Sequence, residues 1–147
     1  MKDFEASKHL GYLLKEVQHT VRTRMDAALR ELHLTTPQYA LLSELDEFPG
    51  LTNADLARRG FVTPQTMNLI VRSLAERGLV VRVNNEYHGR KQDASLTSTG
   101  QAILKKAHRV VSEIETELFG CLTREESQRL NEVLLKIIGK SRSTEAQ

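Results

Sequence analysis

The sequence predicts a mainly α fold carrying a small antiparallel β-wing, and three observations lead there. Between Leu51 and Gly100 two short helical segments meet at a break, Gly60; Thr52 with Asp55 opens the first and Thr63-Pro64 the second. After Gly78 the pattern changes to the β-rich run Leu79-Val80-Val81-Arg82-Val83, then to a polar, basic stretch from Asn84 to Asp93 and a short return ending at Leu96. Long apolar stripes at helical spacing fill both ends of the chain. The order is that of a winged helix-turn-helix (35–100) flanked by N- and C-terminal dimerisation helices (1–34 and 101–140), with a flexible polar tail at 141–147.

Each element has a local cause. The first helix, from about Ser7 to Leu32, places Leu10, Leu14, Val17, Val21, Ala28 and Leu32 at spacings of three, four and seven, with Leu13, Met25 and Leu29 widening the stripe. The second starts at Thr36-Pro37, where threonine can cap and proline suits the first turn, and stops at Pro49-Gly50. The third opens on Thr52 and Asp55, although a capping box prefers Glu or Gln at the latter position. The fourth runs from Thr63-Pro64-Gln65 to about Arg77-Gly78. Thr97 caps a long fifth helix bearing Ile103, Leu104, Ala107, Val110, Val111, Ile114 and Leu118, and Thr123 with Glu126 forms a capping box for the last. The terminal stripes exceed what a small central core needs, so a second copy of the chain is the economical cover for them; packing on each other within a monomer is the plainer alternative.

Bulk composition narrows the partners. The chain has 147 residues and a formal net charge of only +2, so total charge says little about nucleic acid. Distribution says more. From Arg58 to Lys91 the bases Arg58, Arg59, Arg72, Arg77, Arg82, Arg90 and Lys91 face only Glu76 and Glu86, while the flanks are acidic. Cys121 is the sole cysteine, which excludes an internal disulfide and a cysteine-based zinc site. No apolar run approaches a membrane span and no signal-peptide pattern opens the chain, so a cytoplasmic location is expected. The five histidines are scattered and no glycine-rich phosphate loop or Ser/His/Asp spacing appears. Accordingly no catalytic residue, metal site or cofactor is expected.

The helix from Thr63 divides into two faces. Met67, Ile70, Val71 and Leu74 form a core side, while Gln65, Asn68, Leu69 and Arg72 share the other at i, i+3, i+4 and i+7. Gln65 and Asn68 suit paired contacts to adenine, Arg72 suits guanine or phosphate, and Leu69 suits a thymine methyl. Thr63, Pro64 and Thr66 sit at the helix N-terminus, where hydroxyls and unpaired N–H groups meet phosphate. An ordinary solvated face would explain the polar residues but not Leu69. In the wing, Gly89 offers backbone freedom beside Arg90 and Lys91, and a guanidinium there can enter a narrow minor groove; a solvated basic loop is the common alternative. Double-stranded DNA is the partner these residues fit.

From roughly Leu10 to Ile138 the chain resembles the MarR family (multiple antibiotic resistance regulators) of bacterial transcription factors. The resemblance is carried by Leu34-Thr35-Thr36-Pro37-Gln38-Tyr39-Ala40-Leu41-Leu42, by Leu74-Ala75-Glu76-Arg77-Gly78-Leu79-Val80, and by Arg90 followed by Leu96-Thr97-Ser98-Thr99-Gly100. The last is the most specific, the family pattern being Asp, any residue, Arg, then Leu-Thr-x-x-Gly. It implies a homodimer paired through terminal helices, a pseudo-palindromic operator, and release by a small, frequently phenolic ligand. His88 departs from the pattern, standing where the family has an acid that orients the wing arginine; a histidine there would make wing contacts sensitive to mild acid.

The resemblance also implies a ligand pocket among the first, second and fifth helices. Tyr12, Glu16, His19, Arg22 and Tyr39 are the candidates, with Arg22, His19 and Tyr39 suited to an aromatic acid; taken singly, each is better read as a solvent-facing or interface residue. Two alternatives stand beside this account. A winged helix can serve protein contact without DNA, although such a role has no need of Arg72, Arg90 and Lys91 together. A redox switch through Cys121 is the other, but no cation neighbours it in sequence and a buried, small apolar role is expected. Repressor against activator stays open at this stage.

Overall fold

In the computed structural model, residues 8–84 and 92–145 are described. The helices are α1 (Leu10–Leu29), α2 (Thr36–Glu47), α3 (Asn53–Arg59), α4 (Pro64–Glu76), α5 (Ser98–Phe119) and α6 (Arg124–Glu145), and the strands are β1 (Val80–Asn84) and β2 (Gln92–Leu96). A 3₁₀ turn, Arg30–Leu32, extends α1. The strands pair antiparallel in the register Val80↔Leu96 to Asn84↔Gln92, so the ladder reaches into the stretch that the sequence assigned to the wing loop. No helix among the described residues is long and apolar enough to cross a membrane.

The chain forms two compact units, Met1–Ser112 and Glu113–Gln147. In the first, one core draws on every element: Leu29, Leu34, Leu41, Leu42, Leu45, Leu56, Ala57, Met67, Val71, Leu74, Leu79, Val80, Ala94, Leu104, Ala107 and Val111 are all buried. Each leucine removed from water contributes roughly 1.5–3 kcal/mol before entropy is counted. No polar or charged side chain is buried among the described residues, so this core carries no desolvation penalty. The first half of α5, which the sequence grouped with the terminal helices, packs into this same core.

Caps account for the helix starts. Thr52 and Asp55 bond reciprocally, so a shorter acid closes the box as well as Glu would. Thr63 accepts from the Thr66 N–H, and Thr123 with Glu126 closes the box of α6. At α2 the expected cap is corrected. Thr35, not Thr36, is the N-cap, because Gln38 stands three residues after it and bonds back to the Thr35 N–H at 3.0 Å. Thr36 instead donates both its N–H (3.1 Å) and its hydroxyl (2.5 Å) to Asp26, tying α2 to α1. The Thr36 hydroxyl holds the Asp26 carboxyl below the ordinary carboxylate range. α6 also runs on to Glu145, through most of the stretch expected to be a flexible tail; nothing in 141–145 breaks a helix already propagating.

Three helix ends share one geometry, in which a left-handed residue lets two successive N–H groups bond back to the last turn. At Gly78 (φ 70°) glycine adopts it without penalty, with bonds Gly78 N–H to Ala75 O and Leu79 N–H to Leu74 O. The other two positions hold His33 and Phe61, both at φ 54°. An L side chain there costs about 1–2 kcal/mol. Replacing His33 with glycine is therefore expected to raise stability by about 1 kcal/mol in chemical denaturation. A lowered midpoint would mean that the imidazole braces the α1–α2 elbow.

Cys121 is exposed, contrary to the buried role expected for it. In the turn between α5 and α6 the half-buried place goes to Leu122, and the Cys121 thiol donates to the Leu118 carbonyl at 3.6 Å.

Candidate nucleic-acid interface

The helix-turn-helix is braced from several sides. Asn53 Nδ2 donates to the Pro64 carbonyl at 3.3 Å, linking the start of α3 to the start of α4. Gln38 Nε2 reaches Ser73 Oγ at 3.2 Å, fixing α2 against α4. Arg77, at the end of α4, donates to the carbonyls of His33 (2.6 Å) and Leu32 (3.3 Å) in the elbow. With Met67, Val71 and Leu74 buried, α4 has one possible outward face.

That face is the one the sequence indicated. Thr63 is the N-cap and Pro64 the first helical residue, and Thr63, Pro64, Gln65, Thr66, Asn68, Leu69 and Arg72 are all exposed. Leu69 is 67% exposed, an apolar side chain left largely uncovered among the described residues. Thr63 Oγ1 donates to Thr66 Oγ1 at 3.0 Å, which leaves the Thr66 proton to point outward at an acceptor. Arg90 and Lys91 lie outside the described residues, as do His88 and Gly89.

The cationic footprint is thinner than the linear sequence suggests. Arg58 pairs with Asp55 at 2.7 Å; Arg59 pairs with Glu44 and lies over the Phe48 ring at 4.2 Å; Arg77 is the strut just described. Arg59 and Arg77 bridge separate elements, whereas the Arg58 pair is a local one within α3 and largely exposed. Arg72 pairs with Glu76 at 3.0 Å one turn along α4, an exposed pair worth roughly 0–1 kcal/mol. Arg82 on β1 was not among the candidates, yet its guanidinium reaches the Asn68 carbonyl at 3.4 Å, beside the outward face of α4. Strand alternation was the available signal: Arg82 shares its side of β1 with the buried Val80.

The five ligand candidates are not brought together. Tyr12 has Lys15 Nζ 5.4 Å from its ring centroid, and Glu16 and His19 are exposed along α1. Tyr39 faces α5 instead, its hydroxyl 2.9 Å from His108 Nδ1 and the two rings edge to face at 5.5 Å. His108 is a partner that sequence spacing gave no reason to choose. Arg22, 3.7 Å from Asp26, alone of the five lines a cavity of about 560 Å³ walled by α1, α2, α3 and α4. Gln18, Pro37, Ala40, Met67 and Ile70 also line it. Among the described residues no three His, Cys, Asp or Glu side chains could hold a metal ion.

Two capped helices around a tight turn, the second turning a polar face outward, followed by a two-stranded ribbon, define a winged helix-turn-helix protein. Known proteins narrow the class. Residues 33–91 match the family model described as MarR family. The HTH-type transcriptional repressor Rv2887 of Mycobacterium tuberculosis is 38% identical over 128 residues, spanning 87% of this chain and 92% of the relative. A crystal structure of Rv2887 with salicylic acid aligns at TM-score 0.73 and 38% identity, covering 88% of this chain and 96% of that one. Its complex with DNA aligns at TM-score 0.74 and 36% identity, covering 88% and 97%. The chain belongs to the MarR family.

Proposed function

We propose that this chain is a cytoplasmic, homodimeric transcriptional repressor that reads a pseudo-palindromic operator and leaves it when a small aromatic or phenolic ligand binds. The outward face of α4 carries the reading: Gln65, Asn68, Leu69 and Arg72 are exposed together behind a capped N-terminus, with the chemistry that recognises adenine, thymine methyl and guanine or phosphate. Thr63, Pro64 and Thr66 meet the backbone phosphates beside it. Arg90 and Lys91 are assigned to the minor groove by their position in the chain. The relative Rv2887, solved with DNA, supports the same use of the fold.

Pairing of two copies rests on the terminal helices. Leu10, Leu13, Leu14 and Val17 are exposed along α1, and Leu130, Val133, Ile137 and Ile138 along α6. Stripes of this size left in water favour burial against a second copy. The ligand reading rests on the cavity beside Arg22, where a guanidinium borders apolar walls, and on Rv2887 having been solved with salicylic acid. The test is equilibrium binding of duplex DNA at rising salt, with sedimentation of the same sample. A dimer whose log affinity falls with log salt by about 0.9 per neutralised phosphate is expected. A monomer, or binding indifferent to salt, would sink the proposal.

A further inference from the structure

The turn between α3 and α4 contains a residue that the fold alone does not account for. Phe61 sits at φ 54°, with its N–H bonded to the Arg58 carbonyl at 3.3 Å and the Val62 N–H bonded to the Ala57 carbonyl at 3.0 Å. Glycine is the residue that adopts this conformation freely, and the chain has one, but a position early: Gly60 is at φ −82°, which any residue adopts. The Phe61 ring is also 95% exposed. The left-handed backbone costs the folded state, and a phenyl ring that buries almost nothing does not offset it; such outliers collect at functional surfaces.

Its place indicates the surface. Phe61 lies two residues before Thr63, the N-cap of α4, next to the exposed Pro64, Gln65 and Thr66. It is also one of the residues that line the cavity beside Arg22. We propose that Phe61 is an apolar DNA contact, its ring lying against a thymine methyl or a deoxyribose at the edge of each half-site. This rests on the reading of α4 as the DNA-reading helix, and adds a shape-based contact to the polar ones on that helix. A duplex offers just these two apolar surfaces at a groove edge, and phenylalanine against a thymine methyl is an established form of base recognition.

The experiment uses the full chain with Phe61→Gly and Phe61→Leu, and a duplex selected by the wild-type protein. Phe61→Gly is expected to raise the melting temperature by about 3 °C. The same change is expected to weaken binding by about fivefold, whereas Phe61→Leu keeps most of the affinity. Replacing thymines singly by deoxyuridine separates the two sources. A position where methyl loss weakens the wild type but not Phe61→Gly identifies the methyl; no such position, with the Phe61→Gly loss intact, identifies the sugar. Wild-type affinity in Phe61→Gly overturns the proposal, as does a shift to a smaller sedimenting species, which would assign the ring to the second copy. If the wild type itself selects no duplex, the regulator reading fails along with it.

Discussion

Replacing Gly100 with alanine is expected to destabilise the first unit by about 3 kcal/mol, lowering its melting temperature by about 10 °C. A Cβ built there would lie 2.0 Å from the Leu79 carbonyl oxygen and 3.3 Å from Leu96 Cδ2. The carbonyl cannot swing aside, because it accepts the Thr97 N–H at 3.1 Å. Thr97 is committed as well, its hydroxyl donating to the Gly78 carbonyl at 2.6 Å and accepting from the Gly100 N–H at 3.0 Å. The Leu96-Thr97-Ser98-Thr99-Gly100 motif is thus a clamp that docks the start of α5 on the root of the wing. Thermal and urea unfolding check this; a midpoint within a degree of wild type would show that the docking is loose.

Replacing Asn68 with alanine is expected to lower affinity for the preferred duplex by about 1–3 kcal/mol, the worth of one paired base contact. Stability should change by less than about 0.5 kcal/mol, since the side chain is exposed and Arg82 bonds to the Asn68 carbonyl, which alanine keeps. Binding to single-base variants of the duplex decides the matter. Loss of preference at one position is the expected pattern. Uniform weakening would mean that α4 is oriented otherwise and Asn68 touches only backbone.

Local chemistry explains what was legible in the sequence. Thr52 with Asp55, Thr63 with Pro64, and Thr123 with Glu126 mark helix starts because each cap closes within three residues. The apolar face of α4 follows from spacing alone, and its burial leaves Gln65, Asn68, Leu69 and Arg72 outside. Where distant residues decide, the sequence misleads. Thr36 looks like a cap beside Pro37, but it is drawn to Asp26, ten residues earlier. Arg77 reads as one more DNA-facing base, yet its guanidinium serves carbonyls more than forty residues away. Gly60 marks a break, but the left-handed position falls on Phe61, a distinction that needs the backbone angles themselves. The five ligand candidates share polarity and a place near apolar stretches, while helix rotation sends Arg22 to the cavity and Tyr39 to His108.

Selection of bound duplexes from a random DNA pool by the purified protein is the most direct test of the central claim. Enrichment of a palindrome whose half-sites lie about one helical turn apart is the expected result, because two copies of α4 related by a twofold axis can read only that spacing or its multiples. Weak binding with no enriched sequence would contradict it and would leave a winged helix that serves protein contact instead.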